Sequence, residues 1–300
     1  VDASEVIRRL GGTAPYDVVV AHATQSSLRR AVRDGQVRRL ARGVYGLPEL
    51  PVPAAAAAAT HGVVSHVSAA RIHGLRVPTA PSTVHVTVPP GARPPAAPQV
   101  TVHWSRLAPT DVRGGVTTVL RTVLDWAVTL PFGEAVAVAD SALAEKVLVK
   151  SDLIVAAYAQ PPRRRGRCVR VAEAADGGAD TMFESFARAL LVDAGVGGFV
   201  TQLPVLLSGF TVHVDLGDPH RRIAVEAEGF EYHSDKVAFA RDCERYTELA
   251  ASDWLVCRFT WAQVRFRPDW VVDVVRRTRR LRAPQLRRHL ATPRVRAGVS

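Results

Sequence analysis

Lysine is scarce in this chain. Lys146, Lys150 and Lys236 are the three lysines among 39 basic residues, so nearly all of the positive charge is arginine. A GC-rich genome produces such a bias unaided, and it identifies no partner. Cysteine is scarce as well: Cys168, Cys243 and Cys257 are odd in number and lack metal-ligand or redox spacing, which argues against a disulfide framework and a zinc site. Long apolar runs are missing. None reaches the roughly 18 residues of a spanning helix, and the first residues lack a basic-then-apolar signal pattern. No membrane partner is expected, and the cytoplasm is the expected compartment. No segment repeats.

What is present is enough apolar material for real cores. Three hundred residues, 47% hydrophobic, with a mean hydropathy of +0.05, have room for two or three domains. The net charge is +11, and it is clustered. Arg29, Arg30, Arg33, Arg38, Arg39 and Arg42 face Asp34 alone in their stretch, and nine arginines between Arg276 and Arg296 face no acid. Clustering of one sign points to a polyanionic partner, with DNA foremost.

Residues 1–48 read as three short helices and a hairpin. Ser4 suits a cap for a helix through Leu10, Thr13 for one from Pro15, and Thr24 for one over 25–34 with Gly35 as its stop. In the third, Leu28, Ala31 and Val32 share an inner face and leave Ser26, Arg29, Arg30 and Arg33 outside. "VRRLARGVYGLP" then reads as a basic hairpin turning at Gly43. A helix-turn-helix with a wing has this layout, and so does any three-helix bundle with a polar face.

Residues 49–160 read as an α/β unit. Ala54 to Leu75 is expected as helix, "STVHVTVP" and "QVTVHWS" as strands, and Val116 to Tyr158 as helices broken at Pro131 and near Lys150. His66 and His73 are seven apart without an acid or cysteine to complete a metal site, so packing or surface polarity explains them better. "QPPRRRGR" at 160–167 is the expected linker, and residues 161–179 are expected to hold it and a short helix from Cys168. Residues 283–300 read as a loose basic tail.

From Asp180 to 282 the expected order is αβββαβ plus a final helix from Pro268 to Leu281. Strand alternation sets Phe210, Val212, Val214 and Leu216 on one face and Asp215 on the other, with Glu226 and Glu228 likewise outside Ile223, Val225 and Ala227. A hairpin through "GDPHR" brings the three acids together. Two carboxylates at positions i and i+2 lie about 6.6 Å apart and repel by about 2.5 kcal/mol at an effective dielectric near 20. Either arginines offset that, with Arg241, Arg245 and Arg258 as candidates, or a divalent cation does.

In order, Glu184, Gln202, Asp215, Glu226, Glu228, Gly229 and His233, followed by "ARDCERYTELAASDWLVCRFTW", resemble the very-short-patch-repair-like endonuclease domains of actinobacteria, within the PD-(D/E)XK superfamily. The likeness covers residues 180–280. It implies a restriction-endonuclease-like fold, hydrolysis of DNA phosphodiesters, and Mg²⁺ or Mn²⁺ held by Asp215, Glu226 and Glu228. It also implies site roles for Glu184 and Gln202, and His233 as general acid or base. The superfamily's usual lysine is replaced by Glu228. Thr181-Met-Phe-Glu184 is at the same time a capping box, which explains Glu184 without any site. Phe230 and Tyr232 beside the motif suit base stacking or plain packing, and Trp254 and Trp261 suit the core.

The first half, through "SLRRAVRDGQVRRLARGVYGLP", "VVSHVSAARIHGL", "TVLDWA" and "AVADSALAE", resembles the AbiEi-type antitoxin region, which implies DNA binding and repression. The expected fold class is therefore α/β multidomain: an N-terminal winged helix, a middle α/β domain and a C-terminal nuclease-like domain. The expected function is a metal-dependent deoxyribonuclease. The alternative is a DNA-binding regulator or antitoxin whose nuclease fold is inactive.

Overall fold

Capping and turn residues cut the chain into short elements. The computed structural model describes residues 1–78, 80–228 and 236–291, with side chains except those of 236–238 and 284–291. They form a mixed α/β chain with two compact units, Val1–Thr129 and Leu130 onward. Among the described residues, no helix is long and apolar enough to cross a membrane.

Helix α1 (Ala3–Arg9) starts after Asp2, and Ser4, the expected cap, lies inside it and donates its hydroxyl to the Asp2 carboxylate. Thr13 opens strand β1 (Thr13–Pro15) instead of capping, and α2 (Tyr16–His22) begins after Pro15. The cap of α3 (Gln25–Arg33) is as expected, since Thr24 Oγ1 accepts the Ser27 N–H at 3.2 Å. Leu28 and Ala31 are buried, whereas Val32 lies at the rim of that face and is 38% exposed. Strands β2 (Arg38–Ala41) and β3 (Val44–Gly46) make the hairpin, with Gly43 at a φ of 77° that favours glycine. β1 joins on the other side of β3, giving the order β1-β3-β2.

The alanine-rich run is not one helix. It divides into α4 (Val52–Thr60), β4 (Val63–Val64) and α5 (His66–Ile72). His61 takes a left-handed φ of 51°, and a Cβ on Gly62 would sit 3.0 Å from the Thr87 carbonyl oxygen, so the strands approach where the helix stops. β5 (Val84–Val88) and β6 (Val100–Trp104) pair in parallel, and β7 (Val112–Arg113), β8 (Val116–Thr117) and α6 (Val119–Thr129) follow. The sheet order is β6-β5-β4-β8-β7.

The second unit begins with α7 (Phe132–Ala144), α8 (Lys150–Tyr158), α9 (Pro162–Ala174) and α10 (Met182–Asp193). The expected linker at 160–167 is helical, because Pro161 and Pro162 occupy the N-cap and first position of α9, where a missing N–H costs nothing. Nor does the chain divide there. Arg188 Nη2 on α10 donates to both oxygens of Asp140 on α7 at 3.0 and 2.7 Å, both residues being buried, and this ties the helices before the expected linker to those after it.

Then come β9 (Val200–Leu206), β10 (Thr211–Asp218), β11 (Ile223–Glu228), α11 (Lys236–Ala251), β12 (Leu255–Thr260), α12 (Trp261–Phe266) and α13 (Pro268–Ala291). The strand-and-helix order expected after 180 is present. Not expected were α12, opened by a Thr260–Gln263 capping box, and the run of α13 past Leu281 into the supposed tail. The sheet order is β12-β11-β10-β9, with β11 and β12 parallel. One face packs Leu216, Val225 and Phe259 against Leu191 and Val275, and the other packs Val214 and Ala224 against Leu249.

That division corrects the alternation read from β10. Val212 and Val214 pack on the Leu249 face, while Leu216 packs on the opposite one, so the side-chain order slips at Asp215. Gly217 makes the slip possible: a Cβ there would lie 2.3 Å from Leu203 Cδ2. Across from Asp215, between the pairs Leu203↔Val214 and Thr201↔Leu216, Gln202 takes a φ of 48°.

Candidate active site

The slip aims Asp215 along the sheet. Its Oδ2 accepts the backbone N–H of Ala227 at 2.7 Å, and one step past the Leu216↔Val225 pair it meets Glu226. Glu226 is 3% exposed and faces α11, where Arg245 Nη2 donates to both of its oxygens at 3.0 Å and to the His213 carbonyl at 2.6 Å. Glu228 Oε1 accepts from the Tyr246 hydroxyl at 2.7 Å and from Arg258 Nε at 2.6 Å, and Arg258 lies over the Tyr246 ring at 4.0 Å. Glu184, 5% exposed, accepts from the Asp180 N–H, the Thr181 hydroxyl and Gln202 Nε2 at 2.9, 2.9 and 2.8 Å. Thr181 caps α10 by accepting the Glu184 N–H at 3.1 Å, but the Glu184 carboxylate takes the Asp180 N–H and the Thr181 hydroxyl in place of the Thr181 N–H, so the expected capping box is half made, and Glu184 is linked to the site through Gln202.

Charge distinguishes Asp215, Glu226 and Glu228. Burial pushes the Asp215 carboxyl up to about 6, against the pull of the Ala227 N–H, with Glu184 adding repulsion. Burial, and then repulsion from Asp215, pushes Glu226 up to about 8 even though Arg245 opposes it. Glu228 goes the other way: burial would raise it, but the bonds from Arg258 and Tyr246 prevail and hold it below the ordinary range. Tyr246 is itself pushed well above the ordinary phenol value by burial and by Glu228. Glu228 is thus a satisfied ion pair, while Asp215 and Glu226 share one guanidinium between two carboxylates.

A hard divalent cation of the Mg²⁺ type needs one or two carboxylates and keeps several waters. Asp215 and Glu226 fit that donor set, and the buried Nε of Arg245 beside them lacks a hydrogen-bond partner among the described residues. Among the described residues, no three His, Cys, Asp or Glu side chains are grouped to hold a metal. His233, with Gly229, Phe230 and Tyr232, lies outside the described residues.

Tyr246, which holds Glu228 from α11, was not among the residues expected at the site. Its position next to Arg245 was the available signal. Trp261, assigned to the core, is 42% exposed at the end of β12, edge-on to Phe183. In the first unit Arg29, Arg30, Arg33, Arg38, Arg39 and Arg42 are all exposed. Also there, His66 is buried and stacks on His103 at 3.5 Å, and His85 Nδ1 lies 3.0 Å from His103 Nε2. His73 instead donates to the Thr117 carbonyl at 2.7 Å. Burial, and then His85, pushes the His103 ring down to about 4.

No protein-family profile matches the chain. Two curated proteins of Mycobacterium tuberculosis, Uncharacterized protein MT2308 of strain CDC 1551 / Oshkosh and Uncharacterized protein Rv2248 of strain ATCC 25618 / H37Rv, are each 30% identical to it over 163 residues, which is 54% of this chain and 56% of theirs. The chain spans about half the length of the curated relatives it matches. Among solved structures it is similar to the crystal structure of the RV2827C protein from Mycobacterium tuberculosis, at a TM-score of 0.38 and 15% identity, over 68% of this chain and 86% of that one.

Proposed function

We propose that this chain is a DNA-binding endonuclease that depends on a divalent metal and hydrolyses phosphodiester bonds. The observation that carries the reading is the Asp215–Glu226 pair: a half-buried and a buried carboxylate on adjoining strands, both pushed above their ordinary range, with a single guanidinium among the described residues to offset them. Such a pair is short of positive charge, and Mg²⁺ or Mn²⁺ is the species that supplies it. Asp215 and Glu226 would hold the ion, with Glu228 third in the motif but engaged by Arg258. When bound, the cation stabilises charge on the phosphate and lowers the pKa of a water. Gln202 and Glu184 brace Asp215's neighbourhood, and His233 is the residue suited to carry the proton.

The order αβββαβ from α10 to β12 supports a restriction-endonuclease-like fold for this part. Three short helices with the β2–β3 hairpin support a winged helix-turn-helix in residues 1–48, followed by an antitoxin-like α/β part. Exposed arginines on α3 and the hairpin would neutralise phosphates, which positions a duplex without reading its sequence.

A second reading has its own observation. Glu226 and Glu228 are each paired with an arginine, as in a structural ion-pair network. On that reading the chain is a DNA-binding regulator or antitoxin with an inactive nuclease fold. Incubation of single-stranded, duplex, nicked and mismatched DNA with Mg²⁺ or Mn²⁺ separates the two. The endonuclease cuts at least one of them in a manner lost in Glu226→Ala, and the regulator binds without metal and cuts none.

A further inference from the structure

One nitrogen of Arg245 does unusual duty. Its Nη2 reaches both oxygens of Glu226 and the carbonyl of His213, so it ties a carboxylate of β11 to the backbone of β10. A guanidinium has five N–H donors, yet the Nε of this one is buried with no acceptor among the described residues. Leaving a donor buried and unmet costs stability. Arg258 differs, for its Nε is bonded to Glu228 and its plane rests on Tyr246.

Arg245 also has somewhere else to go. Asp242 and Glu248 stand three positions to either side of it on α11, the spacing at which helical side chains meet. Its side chain is 26% exposed, so the path is not closed by packing. We infer that Arg245 is a built-in competitor for the cation: it occupies the Glu226 carboxylate in the metal-free protein and has to be displaced before a divalent ion uses that carboxylate. This rests on the metal-binding reading of Asp215 and Glu226. The consequence is a site that neutralises half of its own charge at rest and binds metal more weakly than its acids alone would.

The test is calorimetric titration of the full chain with Mn²⁺, comparing the wild type with Arg245→Gln, Arg258→Gln and Glu226→Gln. Metal-free melting curves establish that each variant is folded. A hydrogen bond to a charged group is worth enough that Arg245→Gln should bind Mn²⁺ about tenfold tighter than the wild type. Arg258→Gln should change affinity by less than about threefold, since it removes an equal charge without freeing Glu226. Glu226→Gln should abolish the site. If Arg245→Gln binds no tighter while Glu226→Gln still abolishes binding, the competitor role is overturned and the metal site stands. Equal gains from Arg245→Gln and Arg258→Gln overturn it too, because a general field is then sufficient. Absence of any Glu226-dependent binding in all four proteins overturns the metal reading and this inference together. Should Arg245→Gln fail to fold, Arg245→Met is titrated instead, and an unchanged affinity there counts against the role.

Discussion

Asp215 Oδ2 accepts the N–H of Ala227, the residue next to Glu226, at 2.7 Å. A carboxylate thereby takes a bond that a strand ladder would otherwise fill, and the alternation of β10 slips where it does so. The slip, the left-handed Gln202 opposite it and the space that Gly217 leaves open are one local device. It brings the acid of one strand beside the acid of the next. Backbone held in a sparsely populated region costs about 1–3 kcal/mol and collects at functional sites.

The pH dependence of stability follows from the raised carboxyl of Glu226. The unfolded chain loses that proton near the ordinary 4.5, whereas the folded protein keeps it up to about 8. The contribution is therefore full below pH 4.5 and is lost as pH rises through 8. Unfolded histidine is still half protonated near pH 6.5, so the two depressed rings gain a little stability between pH 6.5 and 8, while the Glu226 carboxyl, protonated up to about 8 in the folded protein, loses more over the same window. Metal-free protein should melt lower at pH 8 than at pH 6.5, and Glu226→Gln should flatten that slope. A wild-type melting temperature that rises across this window contradicts the assignment.

Arg188 is the clearest stability prediction. Its guanidinium meets Asp140, which is fully buried, and also donates to the Ala174 carbonyl at 2.7 Å. Arg188→Ala strands a buried carboxylate and should cost about 3–5 kcal/mol in denaturant unfolding. Arg188→Ala combined with Asp140→Leu should recover a large part of that loss, since no charge is then left unpaired.

The exposed arginines of α3 should act through salt-dependent binding. Replacing Arg29, Arg30 and Arg33 together by alanine should weaken duplex binding across unrelated sequences. It should also reduce the slope of log affinity against log salt by about three if each meets one phosphate. Fluorescence anisotropy at several salt concentrations reads both quantities. Because these side chains are exposed, the melting temperature should hardly move.

Much of this was legible from residue patterns, and the limits are instructive. Thr24, Thr181 and the alternation of β11 announced their elements because each signal is local: a hydroxyl three residues before an open N–H, or apolar residues two apart. "QPPRRRGR" misled because Pro-Pro suits a helix start as well as a linker, and what decides is the Asp140–Arg188 pair, 48 residues apart in sequence. Likewise, the choice between Arg241 and Arg245 depends on how α11 is rotated over the sheet, whereas Arg258 reaches Glu228 from β12. Only packing sets that rotation. Asp215 was expected beside Glu226 for a partly mistaken reason, since strict alternation put it opposite Val214, and the slip that actually orients it has Gly217 as its one faint trace.

The account turns on whether Asp215 and Glu226 serve phosphodiester hydrolysis. The most direct measurement is cleavage of the DNA panel by purified full chain with Mn²⁺ or Mg²⁺, run beside Glu226→Ala and a chelated control. The account predicts product from the wild type that disappears both with chelator and in the variant. Intact DNA in every lane, from a protein that still binds duplex without metal, would contradict it and leave the regulator.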